Sequence, residues 1–386
     1  MDIPIIDTDT HLSEPPDLWT SRLPMDKWGS DVPHVVFDES RQIDRWIIGG
    51  RRAPGVGAFV SSKWPEFPPS HPPTREAADP GAFDADARIA RMDENGIRAE
   101  VLFPNLYGFV IHPFLSIKDA RLRLECIRAY NDFTYDFTRA APSRFIMMIA
   151  LPFWDVEACC REVERCHERG FRGVLFPSKP YKLDLPRLED PHWAPLFKMA
   201  EERGLSINFH IGFQDFTEDE FKAMTGRGNT RARYARDSSL TILGLAEVVG
   251  DVLTSDVCIQ YPNLKFVLVE SGFGYLPYLL ETLDWQWANT GAAQENPGRE
   301  LPSYYFRQSV YSAFWYERTT IERMVDLYPD NVMFETDYPH STSLSPGPAS
   351  TAEPPRVEAE RAIRNLSPEL AHKLLYGNAA RLYGVE

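Results

Sequence analysis

Eight short runs rich in Val, Ile and Phe recur along the chain, most of them followed by an amphipathic stretch. This alternation constrains the fold more than any other feature. The runs are residues 4–10, 99–104, 145–151, 173–176, 206–210, 265–270, 308–312 and 332–336. Some, such as the Phe-Ile-Met-Met-Ile-Ala-Leu of 145–151, are apolar throughout, as parallel strands covered on both faces must be. Residues 84–95, 117–140, 155–169 and 193–203 read as helices between them. In one, Val156, Cys159, Cys160 and Val163 fall at the i, i+3, i+4, i+7 spacing of a helix packed on a sheet. Eight β-then-α units predict an α/β fold of the (β/α)8 TIM-barrel type. A doubly wound open sheet would normally carry a Gly-rich phosphate loop after its first strand, and none is written there.

Two stretches break the alternation. Residues 12–83 contain a predicted hairpin, 35–38 with 43–48, followed by Gly49-Gly50, and then prolines at 65, 68, 69, 72, 73 and 80. This stretch reads as an insertion, a lid over one end of the barrel, within a single domain spanning 1–386. Residues 213–232 are polar, contain Gly226 and Gly228, and read as a long loop after strand five.

Composition excludes several function classes. Asp and Glu number 56 against 41 Lys and Arg, a net charge of −15. That balance is wrong for a nucleic-acid or anionic-membrane surface, which needs a basic patch. The longest apolar stretch, 145–154, is interrupted by Pro152 and falls far short of the ~20 residues of a spanning helix. No basic segment precedes an apolar run at the start of the chain, so no secretory signal is read there. Five scattered cysteines (126, 159, 160, 166, 258) show no metal spacing and read as reduced core residues of a cytoplasmic protein.

Barrel enzymes carry their chemistry at the carboxyl ends of the strands. Four of the predicted strands end in His or carboxylate: Asp7-Thr-Asp9-Thr-His11 with Glu14 just beyond, His210, Glu270, and Asp337-Tyr-Pro-His340. Asp9 and His11 are two apart on a strand and so share a face. Carboxylate with imidazole suits Zn, Mn or Fe rather than Mg or Ca. Asp9, His11, His210 and Asp337 are the candidate metal ligands. His112, on the loop after strand two, is a candidate substrate contact. The remaining histidines read as structural. Trp19, Trp28, Trp46 and Trp64, in or beside the insertion, are candidates for an apolar lid lining.

The D-x-H after strand one, the single His ending strand five, Thr336-Asp-Tyr-Pro-His340 and the closing Gly377-Asn-Ala-Ala-Arg-Leu-Tyr-Gly384 together resemble the amidohydrolase superfamily. The nearer likeness is to the branch typified by aminocarboxymuconate-semialdehyde and resorcylate decarboxylases. The resemblance implies a metal held at Asp9, His11, His210 and Asp337, with Asp337 also handling a proton and His340 in the site. One departure stands out: hydrolytic and decarboxylating members usually carry a His at the end of strand six, where this chain has Glu270. Counting Glu14 and Glu270 gives two His and four carboxylates, the composition of di-iron carboxylate sites. No Lys ends a strand where a carbamylated bridge would need one. The carboxylate-rich set resembles the di-iron hydroxylase of platensimycin-type biosynthesis.

The sequence alone therefore favours a non-haem di-iron monooxygenase, with two Fe, O2 and an electron donor, acting on a bulky apolar carboxylate or thioester. Its catalytic residues would be Asp337, Glu270 and His340, with Glu14 and Glu270 as ligands of the second iron. The alternative is a mononuclear Zn- or Mn-dependent hydrolase or non-oxidative decarboxylase of a small carboxylate. A non-enzymatic binding barrel is a third reading, and the intact ligand set argues against it. Family habit and apolar surface suggest a homodimer.

Overall fold

Strand β1 (Ile5–Leu12) is followed by three strands that pair only with one another, β2 (His34–Asp38), β3 (Ile43–Ile48) and β4 (Arg51–Gly55). The remaining strands are β5 (Ile97–Pro104), β6 (Phe145–Ala150), β7 (Gly173–Leu175), β8 (Ser206–His210), β9 (Phe266–Val269), β10 (Val310–Phe314) and β11 (Val332–Phe334). These elements come from a computed structural model that describes residues 3–213 and 231–385. The large sheet runs β1-β5-β6-β7-β8-β9-β10-β11, and every pairing within it is parallel. The eight strands thus form the predicted α/β barrel.

The barrel closes without a long ladder. A single bridge joins Thr10 to Tyr338. Asp337 N donates to Asp9 O at 2.9 Å, and His11 N to Tyr338 O at 2.6 Å. Three of the candidate ligands therefore sit on the closing seam itself, so their backbone is fixed by the same bonds that complete the barrel.

The apolar runs behave as two-sided strands. Within β6, Ile146 and Met148 face a small interior core with Val101, Val267 and Met333, which Tyr383 from the helix Asn378–Tyr383 joins. Their neighbours Phe145, Met147 and Ile149 join the larger core between sheet and helices. The helix Val156–His167 buries Cys159, Val163 and Cys166, while Cys160 is only half-buried and lies off the core face. Asp155 starts this helix by accepting from Ala158 N at 2.9 Å, a cap worth about 1 kcal/mol.

The predicted hairpin is the first half of a three-stranded meander. Gly49 and Gly50, at φ 57° and 72°, supply the left-handed pair of a tight two-residue turn, and the chain returns as β4. Strand β10 begins two residues later than predicted, because Gln308 belongs to the helix Pro302–Ser309. Most of the predicted 213–232 loop lies outside the described residues. At its edges Phe213 is fully buried and a helix, Arg231–Ile242, begins at Arg231. No described helix is long and apolar enough to cross a membrane.

Candidate metal centre

Asp9, His11 and His210 are completely buried where β1 and β8 end. Each imidazole is oriented by a backbone carbonyl: His11 Nδ1 lies 3.2 Å from Pro104 O, and His210 Nδ1 lies 2.8 Å from Ile211 O. A carbonyl only accepts, so Nδ1 carries the hydrogen in both rings and a neutral ring leaves a lone pair on Nε2. The two Nε2 atoms face each other at 3.0 Å, each 3.4 Å from Asp9 Oδ1. Asp9 Oδ2 is buried with no partner. Lone pairs converging in this way require a cation between them, either a proton or a metal.

Without a metal the proton has one place to go. Burial opposes charge on both rings. For His210 the Asp9 and Glu270 carboxylates outweigh it and hold its pKa up to about 9. For His11 burial wins, reinforced by repulsion from His340 and His210, and its pKa falls to about 3. Burial also disfavours the Asp9 charge, but the two histidines more than compensate and hold that carboxyl far below its usual range.

Carboxylates close the other side. Asp9, Glu270 and Asp337 each bring an oxygen within 4.8 Å of the others, and His11, Asp337 and His340 form an overlapping trio. Glu270 and Asp337 both have left-handed backbone, φ 56° and 60°. Such conformations cost of order 1–3 kcal/mol each, a strain that the surrounding structure must hold in place. Burial, followed by the nearby acidic charges, pushes the Glu270 and Asp337 carboxyls well above their usual range. His340 stacks on His11 at 3.8 Å between ring centres, with Nδ1 2.8 Å from Asp337 Oδ1. Its Nε2 lies 2.7 Å from Asn105 Oδ1, and burial drops its pKa to about 3.

Two expected site residues lie elsewhere. Glu14 turns away from the cluster: its Oε1 accepts from the backbone of Asn105 at 3.2 Å and of Leu106 at 2.9 Å. Burial lifts its carboxyl to about 7, against the pull of those N–H groups. His112 sits on the short helix Ile111–Leu115 and is not among the residues lining the cavity above the cluster.

Sequence reading also missed Glu335, completely buried on the continuation of β11. Its Oε2 accepts from Glu270 N at 3.2 Å, while Oε1 has no partner. A carboxylate inside an apolar strand run was the available signal. Glu317 was missed as well; it accepts from the backbone of Phe273 and Gly274 and so fixes the turn that follows Glu270.

The cavity has a volume of about 620 Å³, with Glu270, Asp337 and His340 in its floor. Phe59, Phe67, Phe109 and Trp315 supply apolar wall, and Arg231 is its one Lys or Arg among the described residues. The four tryptophans proposed as lining are not there. Trp19 and Trp46 pack edge to face in the core, and Trp28 donates to Asp119 and Trp64 to Ser70.

Residues 6–385 match the amidohydrolase family. A γ-resorcylate decarboxylase of Polaromonas sp. is 27% identical over 266 residues, 66% of this chain and 76% of the relative. Among solved structures, an amidohydrolase from Mycobacterium avium subsp. paratuberculosis aligns with 100% of this chain and 99% of its own at a TM-score of 0.77 and 22% identity. A Polaromonas dihydroxybenzoic acid decarboxylase, solved with bound manganese and 2-nitroresorcinol, aligns with 99% of this chain and 97% of its own at a TM-score of 0.62 and 19% identity. The two Polaromonas relatives overturn the di-iron monooxygenase expectation: both are decarboxylases, and the metal in one of them is manganese, not iron. The physical reason agrees. With Glu14 committed to backbone N–H groups, the six-ligand set that suggested two irons is not assembled. The ligand-bearing seam, the convergent imidazoles and the match over nearly the full length place this chain in the amidohydrolase family.

Proposed function

We propose that this protein is a metal-dependent, non-oxidative decarboxylase acting on an aryl or similarly flat apolar carboxylate. The observation that carries this reading is the convergence of three buried lone-pair donors, Asp9, His11 and His210, beneath an aromatic-walled cavity. Its sequence relatives include decarboxylases of a dihydroxybenzoate.

The residues fit a single divalent cation of the Mn or Zn type. Asp9, His11, His210 and Asp337 would hold it, and the orphaned Asp9 Oδ2 and the two facing Nε2 atoms would find their partner in it. Such a cation supplies Lewis acidity, stabilising negative charge that develops on the substrate.

The protein's own groups account for the rest. Phe59 and Phe109, stacked at 5.4 Å, and Trp315 offer flat surface for a ring. Arg231 offers the cavity a positive charge for an anionic substrate. Cleavage of the ring–carboxyl bond leaves its electron pair on carbon and expels CO2, so a proton must be delivered to that carbon. Glu270 is the group placed to deliver it: it lines the cavity, its side chain is 15% exposed, and burial beside Asp337 pushes its carboxyl well above the usual range, which favours the acid form. This assigns to a carboxylic acid the position where decarboxylating members of the family usually carry an imidazole. Residues 58–68, which reach the cavity from the insertion, act as its cover.

The test is to load the protein with Mn²⁺ and incubate it with a panel of hydroxylated benzoates, with and without air. CO2 release that is independent of O2 is expected. Turnover that consumes O2, or release of a hydrolysis product with the carboxylate intact, would refute it.

A further inference from the structure

Beside the main cavity lies a second, of about 360 Å³, and the two are not separate sites. They share six lining residues: Phe67, Pro68, Tyr316, His340, Ser341 and Thr342. His340 is thus both a neighbour of the metal cluster and part of the junction between the lobes.

The lobes differ in chemistry. The first is walled largely by aromatic and aliphatic side chains. In the second, eight of the eighteen lining residues are Ser or Thr, drawn from 61–62, 341–345 and 350–351. Several of these hydroxyls already spend their hydrogen inside the protein: Ser62 donates to Asp79 and Ser343 to His340 O, which leaves their oxygens as acceptors. Ser345 is 92% buried, by its 8% residual exposure, and its Oγ finds no partner in the protein. A buried hydroxyl left unsatisfied is costly unless something else bonds it. The lobe's Arg and one of its acids cancel each other, because Arg318 Nη2 donates to both Glu358 oxygens, at 2.8 and 2.7 Å, and Nε to one of them at 3.1 Å. What remains is one carboxylate, Glu66, which accepts from Ser70, and a set of neutral hydrogen-bonding groups, with no free cation among the described lining residues to hold an anion.

The main lobe alone is in the size range of pockets for drug-sized ligands, about 300–1,000 Å³, and exceeds what one substituted benzene ring fills. From this we infer that the physiological substrate is bipartite: a flat apolar carboxylate in the first lobe, joined to an uncharged arm bearing hydroxyl or carbonyl groups that lies in the second. The inference rests on the decarboxylase reading for the head group, and on the second lobe alone for the arm.

The experiment measures calorimetric binding of 4-hydroxybenzoate and of the three positional isomers of glucosyloxybenzoate to the Mn-loaded protein. The best isomer is expected to bind at least about tenfold more tightly than 4-hydroxybenzoate, the gain from one or two added hydrogen bonds. Ala349→Trp, which fills the second lobe away from the metal cluster, should abolish that gain and leave 4-hydroxybenzoate binding unchanged. Ser345→Ala should remove part of it. Equal binding of all four compounds to the wild type, or a gain that survives Ala349→Trp, would overturn the inference, as would failure of every compound to bind. Binding with the expected preference but without CO2 release would refute the decarboxylase reading and leave the two-lobe recognition standing.

Discussion

Strand β1 separates two buried polar clusters that have the same ingredients and opposite character. On one side, Glu100 accepts from Arg88 at 2.9 Å and from Arg91 at 2.8 Å. Arg88 also donates to the backbone oxygens of Gly81 and His11, both at 2.6 Å. Tyr338 covers both guanidinium groups, 4.6 and 3.7 Å from its ring. Every charge there has an opposite charge from the protein. On the other side, Asp9, Glu270, Glu335 and Asp337 crowd two imidazoles, and no Lys or Arg among the described residues pairs with them. Removing charge from water is costly unless it is paired. In the first cluster the charges are paired within the chain, though Arg91 Nη2 and Tyr338 Oη stay without a hydrogen-bond partner, and it serves structure; the second is complete only with a cation that the chain does not contain. Arg88 links them, since its bond to His11 O fixes the strand from which His11 projects.

The sharpest way to break this contrast is to remove an imidazole. His11→Ala or His210→Ala should reduce bound Mn below detection by elemental analysis and lower CO2 release by at least about 10²-fold, more than the roughly 10–100-fold lost when only an outer-shell partner is removed. Folding measured on the metal-free protein should survive either change.

The opposite pattern is expected across the strand. Arg88→Met leaves part of the buried Glu100 charge unpaired and should cost about 3–5 kcal/mol in denaturant unfolding, the range for breaking a buried ion pair. Metal content of the remaining folded protein should fall far less than in either His variant, since Arg88 supports only the His11 backbone. A variant that lost metal but kept its stability would reverse the roles assigned to the two clusters.

These clusters also show what the sequence could and could not reveal. The eight strands were legible because parallel strands covered on both faces are written as unbroken apolar runs. Asp9, His11, His210 and Asp337 were legible because polar residues at the ends of such runs have no packing reason to be there. Glu14 misled because proximity in sequence says nothing of direction: a residue three past His11 faces the backbone of Asn105 and Leu106 instead. Arg88 was invisible for the complementary reason: it lies on the amphipathic helix Ala85–Glu94, and only closure of the barrel shows that it is completely buried. Glu335, inside an apolar run, was legible as an anomaly, but its place beside Glu270 was not.

A smaller effect should sharpen the comparison. In the metal-free protein Glu335 adds to a repulsive group, and Glu335→Gln should raise stability by about 1 kcal/mol, the usual scale of a single favourable substitution, as read by melting temperature. If the metal-free protein is instead destabilised, the cluster is not strained without its cation.

The central claim is that the second cluster holds one metal ion in place of a proton. Titrating Mn²⁺ calorimetrically into chelator-stripped protein, in buffers of different ionisation enthalpy, measures both quantities together. At pH 7, below the raised pKa of His210, binding must displace its proton and any held by the raised Asp337 carboxyl, so the apparent affinity should rise with pH until about pH 9. The account predicts one Mn²⁺ per chain with at least one proton released. Two ions per chain, no ion, or uptake without proton release would contradict it.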